Sequence, residues 1–215
     1  MIVSRGRRYI FVHIPKTGGT SLALALEARA MKDDIMLGDT PKAVRRRRRV
    51  RGMATSGRLW KHSRLTDIYG LVSQEEIESF FVFTLVRNPW DRMVSYYHWL
   101  RDQSFDHPAV ELSKQVGFSP FLNAPETVEA FRSSGLNSYI RDRNGAERCD
   151  HFIRLEYLTE DIAPLQKHLG FTLDIPHVNS SERTQDYRAA YDDADIALVA
   201  DLFTDEVERF GYRFE

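Results

Sequence analysis

Two short apolar runs stand out along the chain, and each is followed by a polar turn and a helical pattern. Tyr9 to Ile14 (YIFVHI) and Phe80 to Val86 (FFVFTLV) are long enough for buried strands and too short for helices. A weaker run over residues 152–155 predicts a third strand. Strands that alternate with helices favour an α/β domain with a mainly parallel central sheet flanked by helices.

The helical patterns carry their own end signals. Residues 21–31 are rich in Ala and Leu without a breaker, and Asn88-Pro89 predicts the cap and first residue of a helix that reaches about Arg101. Residues 73–76 (SQEE) match a capping box that opens a short helix. Two further helices are predicted over residues 159–169 and 193–210, each ended by a glycine.

Composition narrows the class of protein. The chain has 215 residues with a formal net charge of −1, which fits one domain and gives no sign of nucleic-acid binding. Cys149 is the single cysteine, so no internal disulfide can form, and no apolar stretch has the length of a membrane span. We therefore expect a cytoplasmic protein. Residues 38–64 contain the run KAVRRRRRVR (42–51) and are expected to form a basic loop or insert.

The turn after the first strand, IPKTGGTS (14–21), has the composition of an anion-binding loop. Glycines at a strand-to-helix turn expose backbone N–H groups, and Lys16 adds a full positive charge. The order differs from the ATP-binding pattern G-x-x-x-x-G-K-[ST], because Lys16 precedes both glycines. The alternative is a tight turn with a surface lysine.

The turn after the second strand gives a second candidate anion site. Trp90, Met93, Val94 and Tyr97 form one apolar stripe of the predicted helix, which places Arg92, Ser95 and Trp99 on the other face. Arg87 at the strand exit and Ser95 could then meet one anion, although a solvated amphipathic helix is the simpler alternative. Two anion sites at one sheet edge favour a ligand with two separated anionic groups, such as a bisphosphorylated nucleotide.

IPKTGGTS and LVRNPWDRMVSYY (85–97) resemble the two cofactor motifs of sulfotransferases, in the branch of carbohydrate sulfotransferases related to heparan sulfate 2-O-sulfotransferase and its bacterial relatives. KHSRLTDIY (61–69), FIRLEYL (152–158), PHVNSS (176–181) and ERFGYRFE (208–215) extend the resemblance over most of the chain. It implies a P-loop NTPase-like fold and the donor 3′-phosphoadenosine 5′-phosphosulfate (PAPS), without a metal ion. The implied acceptor is a hydroxyl group on a carbohydrate.

The resemblance also implies roles for individual residues. Arg87 and Ser95 would hold the 3′-phosphate of the donor, and Asn179, Ser180 and Arg183 would lie in a loop that closes over the nucleotide. The 5′-phosphosulfate would be cradled by the residues of the first turn, which are Lys16, Thr17, Gly18, Gly19, Thr20 and Ser21.

Two residues are candidates for the chemistry. Lys16 would stabilise the negative charge that develops on the leaving oxygen, as fixed cations do in phosphoryl transfer. His62 is the first choice for the base that takes the acceptor proton, because its segment resembles the base region of the family. A surface histidine in a polar loop is the alternative. His13 is the second choice, and a carboxylate base stays open.

Other interpretations of the motifs also stay open. The basic run 42–51 could bind an anionic acceptor, or it could be a disordered, solvated segment. A nucleotide kinase would require Mg²⁺ and the G-K-[ST] order. A non-catalytic module could keep the nucleotide site and bind a glycan or another partner.

Overall fold

The computed structural model describes residues 1–176 and 186–215. The contacts group the chain into two compact units. The first consists of Met1–Val86 and Asn137–Val178, and the second of Arg87–Leu136 and Asn179–Glu215. The single-domain organisation that the sequence favours stays a prediction.

The first unit contains a five-stranded sheet with the strand order β3-β1-β2-β4-β5. β2 is parallel to β4 and β4 to β5, as predicted, while β1 pairs antiparallel with both β2 and β3. The strands are β1 (Ile2–Ser4), β2 (Tyr9–Val12), β3 (Ile35–Met36), β4 (Phe81–Val86) and β5 (His151–Arg154). The three predicted strands are therefore the parallel half of the sheet, and the antiparallel half was not predicted.

Alternate residues of the central strands build the core on one face of this sheet. Tyr9 and Phe11 of β2 lie beside Phe83 of β4, with ring centroids 5.7 and 5.4 Å apart. Helical residues such as Leu22 and Leu165 cover these rings and are fully buried. The predicted α/β class is confirmed, because helices bury the apolar face of a sheet whose three predicted strands are parallel.

The helices of the first unit agree partly with the prediction. Ser73 and Glu76 cap α3 reciprocally, as the capping box predicts, and Gly170 closes α10 with φ 75°. The helix predicted over 159–169 is divided in two near Ile162. The helices are α1 (Gly19–Ala28), α2 (Pro41–Arg46), α3 (Gln74–Ser79), α9 (Leu158–Asp161) and α10 (Ala163–Leu169).

The sequence predicts a basic loop or insert over residues 38–64, and within it the basic run is helical from Pro41 to Val50. α2 continues into a 3₁₀ helix over Arg47–Val50. The carboxylate of Glu27 on α1 accepts hydrogen bonds from the backbone N–H groups of Lys42 and Ala43, at 2.9 and 3.4 Å. These N–H groups lie in the first turn of α2, where no helical acceptor is available. The cap comes from another helix, so the local sequence could not show it.

The second unit is helical in its described residues. Asn88 caps α4 through its Oδ1, and the helix predicted over 193–210 is two helices that meet at Phe203. Its helices are α4 (Pro89–Arg101), α5 (Pro108–Gln115), α6 (Phe118–Leu122), α7 (Pro125–Ser133), α11 (Asp193–Leu202) and α12 (Thr204–Phe210), while α8 (Leu136–Ile140) begins at the boundary of the two units. Among the described residues, no helix has the length and apolar character needed to cross a membrane.

Candidate functional site

The turn between β2 and α1 is shaped by unusual backbone geometry. Lys16 has φ 67° and Gly18 has φ 84°, so two residues of the turn lie in the left-handed region. A non-glycine residue there costs of order 1–2 kcal/mol and is commonest at functional sites. The hydroxyl of Thr17 is buried and donates a hydrogen bond to the Ile14 carbonyl at 2.9 Å. This bond closes the turn, so the Thr17 proton is already engaged.

The two glycines of the turn are required for different reasons. A Cβ at Gly18 would lie 2.7 Å from Leu155 Cδ1, and its positive φ also disfavours a side chain. Gly19 has no positive φ, but a Cβ there would lie 2.2 Å from Cδ2 and 2.5 Å from Nε2 of His13. α1 begins at Gly19, two residues earlier than predicted, so Thr20 and Ser21 lie in its first turn.

His62 lies against His13 and is therefore tied to this turn. Its Nδ1 is 2.7 Å from the carbonyl oxygen of His13, and the two rings meet edge to face at 4.7 Å. Since a carbonyl only accepts hydrogen bonds, Nδ1 carries the proton and Nε2 keeps its lone pair. The first- and second-choice histidines are thus adjacent, and His62 is not the surface histidine of the alternative interpretation.

Burial sets the ionisation of both histidines. It lowers the pKa of His62 to about 4, against the hydrogen bond to His13, which raises that pKa. Burial also lowers the pKa of His13 well below its ordinary value. Both rings are therefore neutral at pH 7. A neutral imidazole can accept a proton at Nε2, as a general base must, but a pKa this low makes it a weaker base than an ordinary histidine.

The segment before His62 forms a tight turn that the sequence did not reveal. Ser63 is fully buried, and its Oγ lies 2.9 Å from the Trp60 N–H, the Trp60 carbonyl and the Arg58 carbonyl. The turn presents Trp60, a residue that is 40% exposed, and its ring meets the His62 ring edge to face at 5.0 Å. A signal was available in the order W-K-H, an aromatic residue two positions before the candidate base.

The second predicted site begins at Arg87, which directly follows β4. The guanidinium forms an ion pair with Asp91 on the first turn of α4, with Nη2 and Oδ2 2.6 Å apart. Ser95 is only 6% exposed. The predicted apolar stripe of α4 is buried as expected, since Trp90, Met93, Val94 and Tyr97 are all inaccessible.

The other face of α4 is not solvated, which corrects the amphipathic alternative. Arg92 is also 6% exposed, and its guanidinium carbon lies 5.5 Å from the ring centroid of Phe203 and 6.0 Å from that of Phe131. Helical segments of the second unit cover this face, so α4 is buried nearly all round. Ser95 is consequently a buried hydroxyl and not a surface one.

Three predicted residues, Asn179, Ser180 and Arg183, lie outside the described residues, as does His177. Within the first unit, the structure brings together the turn 14–21, His13 and His62. Within the second, Arg87 lies two residues before α4, and Ser95 lies on the second turn of that helix. Over residues 1–176 and 186–215, no group of three or more His, Cys, Asp or Glu is arranged to hold a metal ion.

Comparison with known proteins agrees with the fold and the motifs. A search of curated protein sequences gave no match. The crystal structure of mouse sulfotransferase SULT7A1 complexed with PAP is similar in fold, with 14% identity and a TM-score of 0.52, over 93% of this chain and 84% of that one. The family model described as "Sulfotransferase family" matches residues 1–213. The chain therefore belongs to the sulfotransferase family.

Proposed function

We propose that the protein transfers a sulfuryl group from PAPS to an acceptor hydroxyl, with His62 as the base and Lys16 as the cation at the leaving group. The observation that carries this assignment is the hydrogen bond from His62 Nδ1 to the His13 carbonyl, 2.7 Å long. It joins the candidate base to a residue that packs on Gly19, in the turn of the first cofactor motif. Base and donor turn are thus neighbours within one unit.

The turn after β2 supplies the donor side of the reaction. The first turn of α1 offers backbone N–H groups and a positive helix end to the phosphosulfate. Lys16, Thr20 and Ser21 are half-buried there, which lowers the competition from water. Gly18 and Gly19 let the backbone approach the ligand closely, and Thr17 keeps the turn closed. Lys16 balances the charge that develops on the oxygen bridging sulfur and phosphorus.

His62 supplies the acceptor side. The acceptor oxygen attacks sulfur as the bond between sulfur and the bridging oxygen breaks, so that 3′-phosphoadenosine 5′-phosphate (PAP) leaves. The proton of the acceptor hydroxyl passes to Nε2 of His62, which the His13 carbonyl keeps unprotonated by holding the proton on Nδ1. The imidazolium so formed is stabilised by the same carbonyl.

The remaining nucleotide contacts are assigned to the second motif. Arg87 would hold the 3′-phosphate, with Asp91 fixing the guanidinium at 2.6 Å before the ligand arrives. Ser95 would donate its hydroxyl, and its burial suits a contact that excludes water. Asn179, Ser180 and Arg183 complete the proposed set. The likeness of these motifs to carbohydrate sulfotransferases supports a carbohydrate as the acceptor.

Calorimetry with PAP tests the donor side. We expect PAP to bind without magnesium and ADP to bind much more weakly, because ADP lacks the 3′-phosphate. Lys16→Ala and Arg87→Ala should each weaken PAP binding about tenfold or more, as loss of a charged contact does. Lys32→Ala, which removes an exposed lysine beyond α1, is the matched control and should bind like wild type. Equal affinity for PAP and ADP would sink the Arg87 assignment.

A designed variant tests the acceptor side. In His62→Asn, the amide Nδ2 can still donate to the His13 carbonyl, but no group can take the acceptor proton. We expect PAP binding to persist and turnover to fall about 10²- to 10⁴-fold, the usual contribution of a general base. His168→Asn is the control outside the turn. Full turnover in His62→Asn would remove His62 from the mechanism. PAP binding without turnover on any hydroxyl acceptor would instead favour a non-catalytic module.

A further inference from the structure

The turn over residues 58–63 holds an exposed indole in a fixed position. Ser63 Oγ accepts the Trp60 N–H and donates to a carbonyl of the same turn, all at 2.9 Å, and the Ser63 N–H returns to the Trp60 carbonyl at 3.2 Å. A serine hydroxyl that is fully buried can adopt few alternatives, because each lost bond would leave a polar group without a partner. These bonds fix the backbone of Trp60, and its ring contacts His62 and Arg58.

An arginine lies against this ring. The Arg58 guanidinium carbon lies over the Trp60 ring, 5.4 Å from its centroid. Lys61 pairs with Asp39 at 2.7 Å, and the charge of Arg47, at the end of α2, acts on the same Asp39. Arg58 is exposed, and Lys61 directly follows Trp60 in the chain. This environment attracts an anion and leaves the guanidinium of Arg58 exposed to bind it.

The position of the ring relative to His62 determines what it would contact. The two ring centroids are 5.0 Å apart. An acceptor hydroxyl must come within about 2.6–3.2 Å of Nε2 of His62 to lose its proton. The sugar ring that carries this hydroxyl must therefore lie against the neighbours of His62. Trp60 is the largest exposed one among the described contacts of that imidazole. Indole rings give broad, rigid, amphipathic contact surfaces that suit the C–H face of a sugar.

We infer that Trp60 and Arg58 form the acceptor subsite, and that the sugar bound there carries a carboxylate or a sulfate. This inference rests on the proposed role of His62 as the base. The sugar ring would stack on the exposed part of the indole and place a hydroxyl at Nε2. Its anionic substituent would pair with Arg58, and Ser63 acts as the positioning residue that holds the turn.

Saturation-transfer NMR on the full chain saturated with PAP tests the subsite. The probes are a chondroitin tetrasaccharide, which bears uronic acids, and maltotetraose, which is neutral. We expect the chondroitin probe to bind. Maltotetraose should bind at least about tenfold more weakly, because loss of one contact to a charged group lowers the affinity by about that factor. Trp60→Ala should weaken binding of the chondroitin probe about tenfold. Arg58→Gln should remove most of the preference for the charged probe over the neutral one.

Two control variants separate this subsite from general surface effects. Phe105→Ala removes another exposed aromatic ring, and Arg45→Gln removes an exposed arginine of α2. Both should bind the probe like wild type. PAP affinity should be unchanged in all four variants, which shows that the turn after β2 is intact. Equal loss in Arg45→Gln would mean that the whole basic segment attracts the probe without a defined subsite.

The outcomes also distinguish this inference from the proposed function. If wild type fails to bind PAP, the proposed function fails first. If PAP binds but the chondroitin probe does not, only the acceptor subsite is overturned. Binding of the probe that survives in Trp60→Ala has the same consequence. If maltotetraose binds as well as chondroitin and depends on Trp60, the stacking stands and the requirement for an anionic sugar is wrong.

Discussion

Substituting Gly19 by alanine should damage the turn and the candidate base together. The added Cβ would lie 2.2 Å from His13 Cδ2, whereas carbon atoms pack at about 3.5–4.0 Å. His13 must therefore move by more than about 1 Å. It is buried, stacked on Phe11 at 5.6 Å and in edge contact with His62 at 4.7 Å, so there is little room for this shift.

The expected cost follows from the close packing of this region. Overpacking a filled core costs about 1–3 kcal/mol, and the better helix propensity of alanine returns less than about 1 kcal/mol. A net loss of about 1–2 kcal/mol should shift the urea midpoint by roughly 0.5–1 M for a slope of about 2 kcal/mol/M. A moved His13 also carries its carbonyl away from His62 Nδ1, so the His62 ring signals should shift in NMR spectra.

Two other glycines supply the comparison. Gly135→Ala places a Cβ where no atom lies within 4 Å and the backbone has no positive φ, so its stability should stay near that of wild type. Gly18→Ala should destabilise the fold, because its Cβ would clash with Leu155 and its φ of 84° disfavours a side chain. It should leave the His62 signals in place. Wild-type stability together with unmoved His62 signals in Gly19→Ala would refute the view that Gly19 is required by its contact with His13.

Three further predictions concern ionisation and caps. His62 should titrate near pH 4 by NMR, since burial lowers its pKa from 6.5 to about 4. The fold should lose stability as the pH falls from 6.5 to 4, because the unfolded chain binds the proton more tightly than the folded one. Asp142→Asn should cost about 1.5–3 kcal/mol in urea unfolding at pH 7, the usual loss for bonds to a charged group. Burial raises the pKa of Asp142, but hydrogen bonds from Arg148, Gln74 and backbone N–H groups outweigh it and lower the pKa to about 2, so the difference from wild type should shrink below pH 3.8. Asn88→Ala should cost about 1–2 kcal/mol, because Asn88 caps α4 and also donates to the Arg213 carbonyl at 3.0 Å.

Each of these three predictions would be contradicted by a specific result. A His62 midpoint near 6.5 would mean that the ring is open to water. A pH-independent gap between Asp142→Asn and wild type would assign the loss to shape and not to charge. For Asn88, the variant Asn88→Asp retains the capping oxygen and loses the donor, so equal destabilisation by Ala and Asp would locate the effect in the bond to Arg213.

Local patterns were sufficient for the elements whose signals lie within a few residues. The capping box at Ser73 and Glu76, the cap at Asn88 and the apolar runs of β2 and β4 each depend on neighbours in the sequence, and all were predictable. The cofactor motif 14–21 belongs to this class too, because a glycine-rich turn between a strand and a helix is a local feature. The family followed from the two motifs and their order.

Tertiary structure decided whatever depends on a distant partner. β1 and β3 are three and two residues long, too short for a pattern, and they exist because they pair with each other and β1 with β2. The basic segment is helical because Glu27 caps it from α1. Ser95 and Arg92 are buried because other helices of the second unit cover α4.

For the candidate site, too, the residue types follow from the sequence and their contacts follow from the fold. Sequence alone determined which residue types could bind an anion and that His62 could act as a base. Only the fold placed the His13 carbonyl on His62 Nδ1, which leaves Nε2 as the acceptor, and only the fold made Gly19 necessary by packing His13 against it. Hydrogen-bond partners and steric limits depend on atoms that are far apart in the chain, and a linear pattern does not record which of them meet.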